Sequence, residues 1–276
     1  MYLVHTFITL QKFTQQSAAT VMMEIHSSDY TCQNKLASTQ VNAKVASTTS
    51  WISPWLTPLA YFLGYNFLPL FFGQIQITGK ENIPLTGPVI FAPTHRSRWD
   101  AILVPYVAGR WITGRDLRYM VTITECQGLQ GWFVRRMGGF PVDIKHPSVT
   151  TLRHGVQILQ QKEPLVIFPE GGIFRDGKVH PLKPGIARLA LTAESGYPEL
   201  GVKIVPIGIN YSDPYPHWGT NVSIHIGSPI QVADYVSGNS KQDAKRLTTD
   251  LAKALKLLSH DESAIATHTF VEMPNS

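Results

Sequence analysis

The segment PVIFAPTHRSRWDA, residues 88–101, places His95 directly after an apolar run and Asp100 five residues later. An imidazole can take and return a proton near neutral pH, and a carboxylate behind it fixes the tautomer and stabilises the imidazolium. Within one continuous helix a five-residue step turns a side chain by about 500°, which leaves the pair about 140° apart. They can meet only if His95 lies on a loop and Asp100 near the start of the following helix. Free amides at that helix start would then face developing negative charge. The plainer reading of the same spacing is a surface histidine beside a helix-capping carboxylate.

A second set of polar residues stands in LVIFPEGGIFRDGKVHPLKPG, residues 165–185, where Glu170, Arg175 and Lys183 follow another buried-looking strand in a Gly-rich stretch. In α/β sheets ligands bind at the carboxyl ends of strands, so two polar loops in equivalent positions describe one shared site. Arg135 and Arg136 add a third cationic group. Forked, permanently charged guanidinium groups suit phosphate recognition, although charges on a solvated face give the same pattern. His146, His154, His180, His217 and His225 show no metal-ligand spacing. Cys32 and Cys126 are too few for a disulfide framework, which points to reducing surroundings, and Cys126 reads as a small buried apolar residue.

These residues must be carried by a chain of 276 residues, long enough to bury a substantial core. Charged residues make up 16% and the formal net charge is +5, a modest excess that allows an anionic partner. Seven of the eleven Arg fall between Arg96 and Arg136. Strand-like runs occur at 74–78, 88–92, 117–122, 165–168, 203–209 and 222–226, with helical patterns at 98–107, 148–161 and 184–193. That alternation predicts an α/β fold with a mixed, largely parallel sheet flanked by helices over residues 74–260. A further helix from Gln242 sets Leu247, Leu251, Leu255 and Leu258 on one face.

No Asp, Glu, Lys or Arg occurs between Lys44 and Lys80, and the middle of that gap, residues 51–73, is the most lipid-like stretch. Pro54, Pro58, Asn66 and Pro69 interrupt it, which predicts an N-terminal apolar helical hairpin of two short helices. Trp51, Trp55, Tyr61 and Tyr65 suit a headgroup boundary, so the hairpin is expected to lie in a membrane interface, with a buried hairpin of the core as the alternative. Residues 1–50 hold 14 Ser or Thr and no Gly, Pro or Arg, and read as a tail; residues 261–276 read as a flexible C-terminus. No basic residue precedes the first apolar ten, against a signal peptide, and Met22 or Met23 are alternative starts.

Taken together, the blocks resemble the 1-acylglycerol-3-phosphate acyltransferase family, the glycerophospholipid acyltransferases of bacterial type. Thr94, His95 and Asp100 match its N-H-x-x-x-x-D block, and GWFVRRMGGFPVD, residues 131–143, matches its Gly- and Arg-rich block. Phe168, Pro169, Glu170 and Gly171 match F-P-E-G-T-R, and Ile204, Val205 and Pro206 match the hydrophobic V-P block. Thr94 stands where the family has Asn, Gly172 and Ile173 replace Thr-Arg, and Ile144 stands where an Arg commonly follows the Asp.

The resemblance implies transfer of a fatty acyl chain from an acyl thioester to the free hydroxyl of 1-acyl-sn-glycerol 3-phosphate, giving phosphatidic acid. Other acceptors, glycerol 3-phosphate or another lysolipid, and a non-catalytic lipid-binding relative are the alternatives. It implies His95 as base and Asp100 as its orienting partner. Glu170, Gly171, Arg175, Arg135, Arg136 and Lys183 are the implied substrate-binding residues. No cofactor or metal is expected beyond acyl carrier protein or coenzyme A as carrier of the co-substrate. The absence of a G-x-S-x-G elbow agrees with direct transfer. The implied place is a membrane surface, monotopic or peripheral, with the site on the cytoplasmic side. Nucleic acid is not an expected partner, because the Arg cluster falls inside these blocks and no nucleic-acid motif accompanies it.

Overall fold

A computed structural model describes residues 50–144, 148–197 and 199–259. The expected tail before residue 50 and the expected C-terminus from 261 lie outside them. The frame is one eight-stranded mixed sheet. Its strands are β1 (Ile75–Thr78), β2 (Val89–Pro93), β3 (Arg118–Thr122), β4 (Gly139–Val142), β5 (Pro164–Val166), β6 (Lys203–Tyr211), β7 (Val222–Ile226) and β8 (Ile230–Gln231). They lie in the order β1-β7-β6-β2-β5-β3-β4, with β8 also on β6. β2 runs parallel to both β5 and β6, β3 runs parallel to β5 and β4, and β7 runs antiparallel to β6.

Helices cover both faces: α1 (Leu56–Phe71), α2 (Asp100–Ala108), the one-turn α3 (Arg110–Thr113), α4 (Gly128–Arg136), α5 (Val149–Gln160), α6 (Gly185–Gly196) and α7 (Ser240–Ser259). Successive strand residues point to opposite faces, and the core divides accordingly. Ile90, Leu165 and Ile204 join Leu189, Leu251 and Leu255 on one face. Phe91, Val166 and Val205 join Leu68, Leu103 and Val104 on the other. The strands at the centre are buried on both sides, which is why they read as unbroken apolar runs.

The expected hairpin over 51–73 is instead one helix, α1, preceded by extended chain. Pro58 falls in its first turn, where the missing N–H has no helical acceptor to lose. Asn66 donates its side-chain amide to the Phe62 carbonyl, and Pro69 lies two residues from the helix end. Leu68 and Phe72 are in the core and hold that end down. Before the helix, Ser53 N–H donates to Arg136 O at 2.9 Å and Gly138 N–H to Trp51 O at 3.0 Å, so residues 51–53 dock beside the end of α4. β4, absent from the sequence reading, contains Pro141 and lies at the sheet edge, the place where a strand tolerates proline.

Candidate active site

Because β2 and β5 are parallel neighbours, their loops leave the same edge of the sheet, His95 two residues beyond β2 and Glu170 four residues beyond β5. β6, on the other side of β2, ends at that edge with Tyr211. Thr94 fixes the first loop to β6. Its N–H donates to Ile207 O at 2.9 Å, and its Oγ1 accepts from Ile209 N–H at 2.9 Å. The residue that replaces the family's Asn thus still braces the histidine loop.

Asp100 opens α2 and is fully buried. One of its oxygens, Oδ2, accepts from Arg96 N–H at 2.6 Å and Ser97 N–H at 2.8 Å and stands 3.0 Å from His95 Nδ1. The other, Oδ1, accepts from the Tyr211 hydroxyl at 2.6 Å. A carboxylate engaged by these donors can only accept at Nδ1, so the proton of neutral His95 sits there and Nε2 carries the lone pair. The imidazole also lies on Phe168, with ring centroids 4.0 Å apart and planes at 24°. Burial, then the negative charge of Asp100, push the Tyr211 phenol far above its ordinary pKa, which keeps its hydrogen in place.

Glu170 is the second hub. It lies buried, accepts from His95 N–H at 2.9 Å and His180 N–H at 2.9 Å, and pairs with Arg96 Nη1 at 2.9 Å. Phe174 N–H donates back to His95 O at 2.8 Å. The two loops are therefore stitched together beneath the imidazole. Of the amides expected to be free at the start of α2, several are engaged. Those of Arg96 and Ser97 are taken by Asp100, while Trp99 N–H donates to Ser97 Oγ and Asp100 N–H to Ser97 O.

His95 opens onto a cavity of about 1000 Å³ between the sheet edge and α1, α2 and α4. Its wall is mainly apolar, with Leu59, Leu63, Tyr106, Phe133 and Ile186 among the lining residues. Gly171 and Lys183 line it. Gly171 takes φ +71°, and a side chain there would come within 3.3 Å of the Lys183 stem. Arg135, Arg136 and Arg175 do not line it. The Arg136 guanidinium lies over the rings of Trp132 and Trp51, 4.0 and 5.5 Å from their centroids, and that of Arg175 lies 5.0 Å from Tyr215. Arg135 occupies the last turn of α4. The cations on the cavity wall besides Lys183 are Arg98, paired with Glu125 at 3.0 Å, and Arg188.

Sequence reasoning passed over Arg96, Phe168 as a ring partner, Tyr211 and Arg188. Arg96 stands beside the histidine, and an Arg between two apolar neighbourhoods was a usable signal. Tyr211 is 111 residues from Asp100, and only knowing that β6 adjoins β2 brings it to the site. Cys126 is buried as expected, and burial raises its thiol pKa, away from nucleophile character. Among the described residues no group of His, Cys, Asp and Glu could hold a metal ion.

The fold agrees with a solved relative. The crystal structure of the 1-acyl-sn-glycerophosphate acyltransferase PlsC from Thermotoga maritima superposes with a TM-score of 0.56 at 19% identity, over 79% of this chain and 81% of that one. The mitochondrial glycerol-3-phosphate acyltransferase 1 of Sus scrofa is 27% identical over 221 residues, 71% of this chain. This chain spans about a quarter (26%) of that enzyme's length. The 1-acyl-sn-glycerol-3-phosphate acyltransferase of Bacillus subtilis is 24% identical over 196 residues, 68% of this chain and 89% of its own. Residues 74–210, which hold the histidine loop, the Glu170 loop and the strands beneath them, match the model of the acyltransferase family, and the chain belongs to that family.

Proposed function

We propose that the protein acylates the free hydroxyl of 1-acyl-sn-glycerol 3-phosphate, using a long-chain acyl thioester of acyl carrier protein or coenzyme A, and releases phosphatidic acid. One observation carries this reading: the Nε2 lone pair of His95, set by the bond from Nδ1 to Asp100, faces an apolar cavity large enough for an acyl chain. Nε2 takes the hydroxyl proton as the acceptor oxygen bonds to the thioester carbonyl carbon. The tetrahedral intermediate then collapses, the C–S bond breaks, and the departing sulfur takes the proton back from the imidazolium. Asp100 stabilises the cation between those two transfers. Neither a covalent acyl-enzyme nor a metal enters this sequence.

The membrane surface is the natural place for such a reaction, since acceptor and product are amphiphiles. No helix among the described residues is long and apolar enough to cross a bilayer. α1, with 16 residues, measures about 24 Å, and it leaves Phe62 and Leu70 more than half exposed, with Trp55 likewise exposed just before it. We assign that face to the interface, with the site on the cytoplasmic side.

Glycerol 3-phosphate is the second acceptor to consider, because the Sus scrofa enzyme named for it aligns over 71% of this chain. The test supplies purified protein in mixed micelles with oleoyl thioesters of both carriers and with each acceptor, His95→Ala in parallel. His95-dependent phosphatidic acid from the lysophosphatidate arm supports the reading; lysophosphatidic acid formed from glycerol 3-phosphate alone replaces it with the second. No product from either arm, with folded protein, turns the reading to another lysolipid or to lipid binding without catalysis.

A further inference from the structure

A second depression, about 440 Å³, runs between α5 and α6. Its size falls within the range of small-molecule sites, about 300 to 1,000 Å³. Leu152 and Arg188 line both this groove and the cavity that holds His95, so the two spaces meet at those side chains. Arg153 stands one residue along α5 from Leu152, and Gln157 and Tyr197 supply further polar and aromatic surface. Both arginines are exposed, and neither guanidinium forms an ion pair or hydrogen bond among the described residues. Other arginines are occupied: Arg96 by Glu170, Arg98 by Glu125, Arg110 by Asp116, Arg118 by Glu163. Two uncommitted forked cations where the apolar cavity meets a second, largely apolar groove fit an elongated ligand with an apolar end and a phosphate.

We propose that the α5–α6 groove receives the phosphorylated pantetheine arm of the acyl donor, its phosphate meeting Arg188 and Arg153, so that the thioester reaches His95 from this side. The inference rests on the thioester-donor reading above. Coenzyme A and acyl carrier protein share this arm, and the groove takes the chemistry common to both. The acceptor's phosphate is then left to Lys183 on the cavity wall. Guanidinium groups suit the phosphate because their paired N–H donors match two of its oxygens, and the N-terminal ends of both helices add partial positive charge. The amide-rich body of the arm suits Gln157.

The test separates this site from catalysis. Free 4′-phosphopantetheine and unphosphorylated pantetheine are titrated calorimetrically into the full chain in detergent, and into the R153A/R188A double variant. The phosphorylated arm is expected to bind the unaltered chain about ten- to a hundredfold more tightly, the worth of one or two charge-assisted hydrogen bonds. The double variant is expected to bind both alike. No phosphate preference in the unaltered chain, or one that survives in the variant, overturns the proposal, and neither result depends on turnover. In the kinetic arm R153A/R188A raises KM for oleoyl-coenzyme A and for oleoyl acyl carrier protein and leaves KM for lysophosphatidate unchanged. A rise confined to the acceptor's KM assigns the arginines to the acceptor and overturns the proposal too. An effect with acyl carrier protein alone points to protein docking rather than the shared arm, and overturns it likewise. R153K/R188K, which keeps the charge but loses the fork, is expected to recover part of the preference. Failure of acyl transfer itself, with the phosphate preference intact, counts against the reaction and not against the site.

Discussion

Asp100 and Glu170 lie almost wholly out of water, and each gathers donors from several segments: His95, Arg96, Ser97 and Tyr211 for the first, His95, His180 and Arg96 for the second. Arg136 and Arg175 instead rest on aromatic rings outside the cavity. The contrast separates two tasks. A base that must meet one hydroxyl is held to a fraction of an ångström by buried bonds, since misplacement costs rate steeply. Cations at a rim need only be near an anionic surface, because their field acts over about a Debye length. The sharpest way to break the comparison is at its centre. His95→Ala should lower kcat by about 10² to 10⁴, the usual worth of a positioned base, with little change in thermal midpoint. Activity within about tenfold of the unaltered chain would separate the imidazole from the chemistry.

Glu170→Gln strikes the frame rather than the base. Removing one partner of a buried ion pair leaves the Arg96 charge uncompensated, at a cost of about 3 to 5 kcal/mol. Arg96 Nε and Nη2 already lack partners among the described residues, so the guanidinium has little to turn to. Denaturant unfolding should show the loss as a lower midpoint, and turnover should fall because Glu170 holds the His95 amide. A change below about 1 kcal/mol would place the pair among weak surface ion pairs instead.

Alkali offers a different probe of the same buried side. Burial pushes Tyr61 up to about 12, with the charge of Asp116 adding to the shift, and raises Tyr119 and Tyr211 as well. These phenols stay protonated in the folded chain while the unfolded chain loses its protons near pH 10. Above that pH the unfolded state binds fewer protons, so stability falls as pH rises. Two pKa units at Tyr61 correspond to about 3 kcal/mol lost between about pH 10 and 12. A thermal midpoint flat across that window would contradict it. Tyr211→Phe should also cost activity at neutral pH. One oxygen of Asp100 loses its donor, worth about 1.5 to 3 kcal/mol for a bond to a charged group, and kcat should fall by roughly tenfold or more with KM held.

How far the site could be read in advance follows the same division. Local spacing singled out the His95–Asp100 pair, a short-range pattern that a helix cap also gives, and the family resemblance marked Glu170. The strands at the sheet centre were legible because burial on both faces leaves runs such as VIFA and KIVPIGI. Contacts that depend on strand order were not, and Tyr211 is the plain case. α1 was misjudged through its prolines: sequence counts them as breaks, while their positions within the helix and the packing of Leu68 decide whether they break anything. Arg136 and Arg175 were picked for their charge, and charge alone says nothing about which ring lies beside it.

Those two arginines give the smallest and most discriminating effect. Each guanidinium lies over an aromatic ring near the surface, an arrangement worth about 0.5 to 1 kcal/mol. Arg136→Ala and Arg175→Ala should therefore shift stability by no more than that and leave kcat within about threefold in micelles of neutral detergent. On anionic vesicles the outcome should divide them. Arg136 stands against Trp51 and Trp132, beside the chain that leads into α1, so its loss should weaken vesicle binding by roughly fivefold, about 1 kcal/mol for one surface cation. Arg175, over Tyr215, is expected to leave vesicle binding unchanged. Co-sedimentation with vesicles of graded anionic content measures both. If Arg175→Ala alone weakens binding, the anionic surface lies on the side of Tyr215, and the interface assigned to α1 must be moved there.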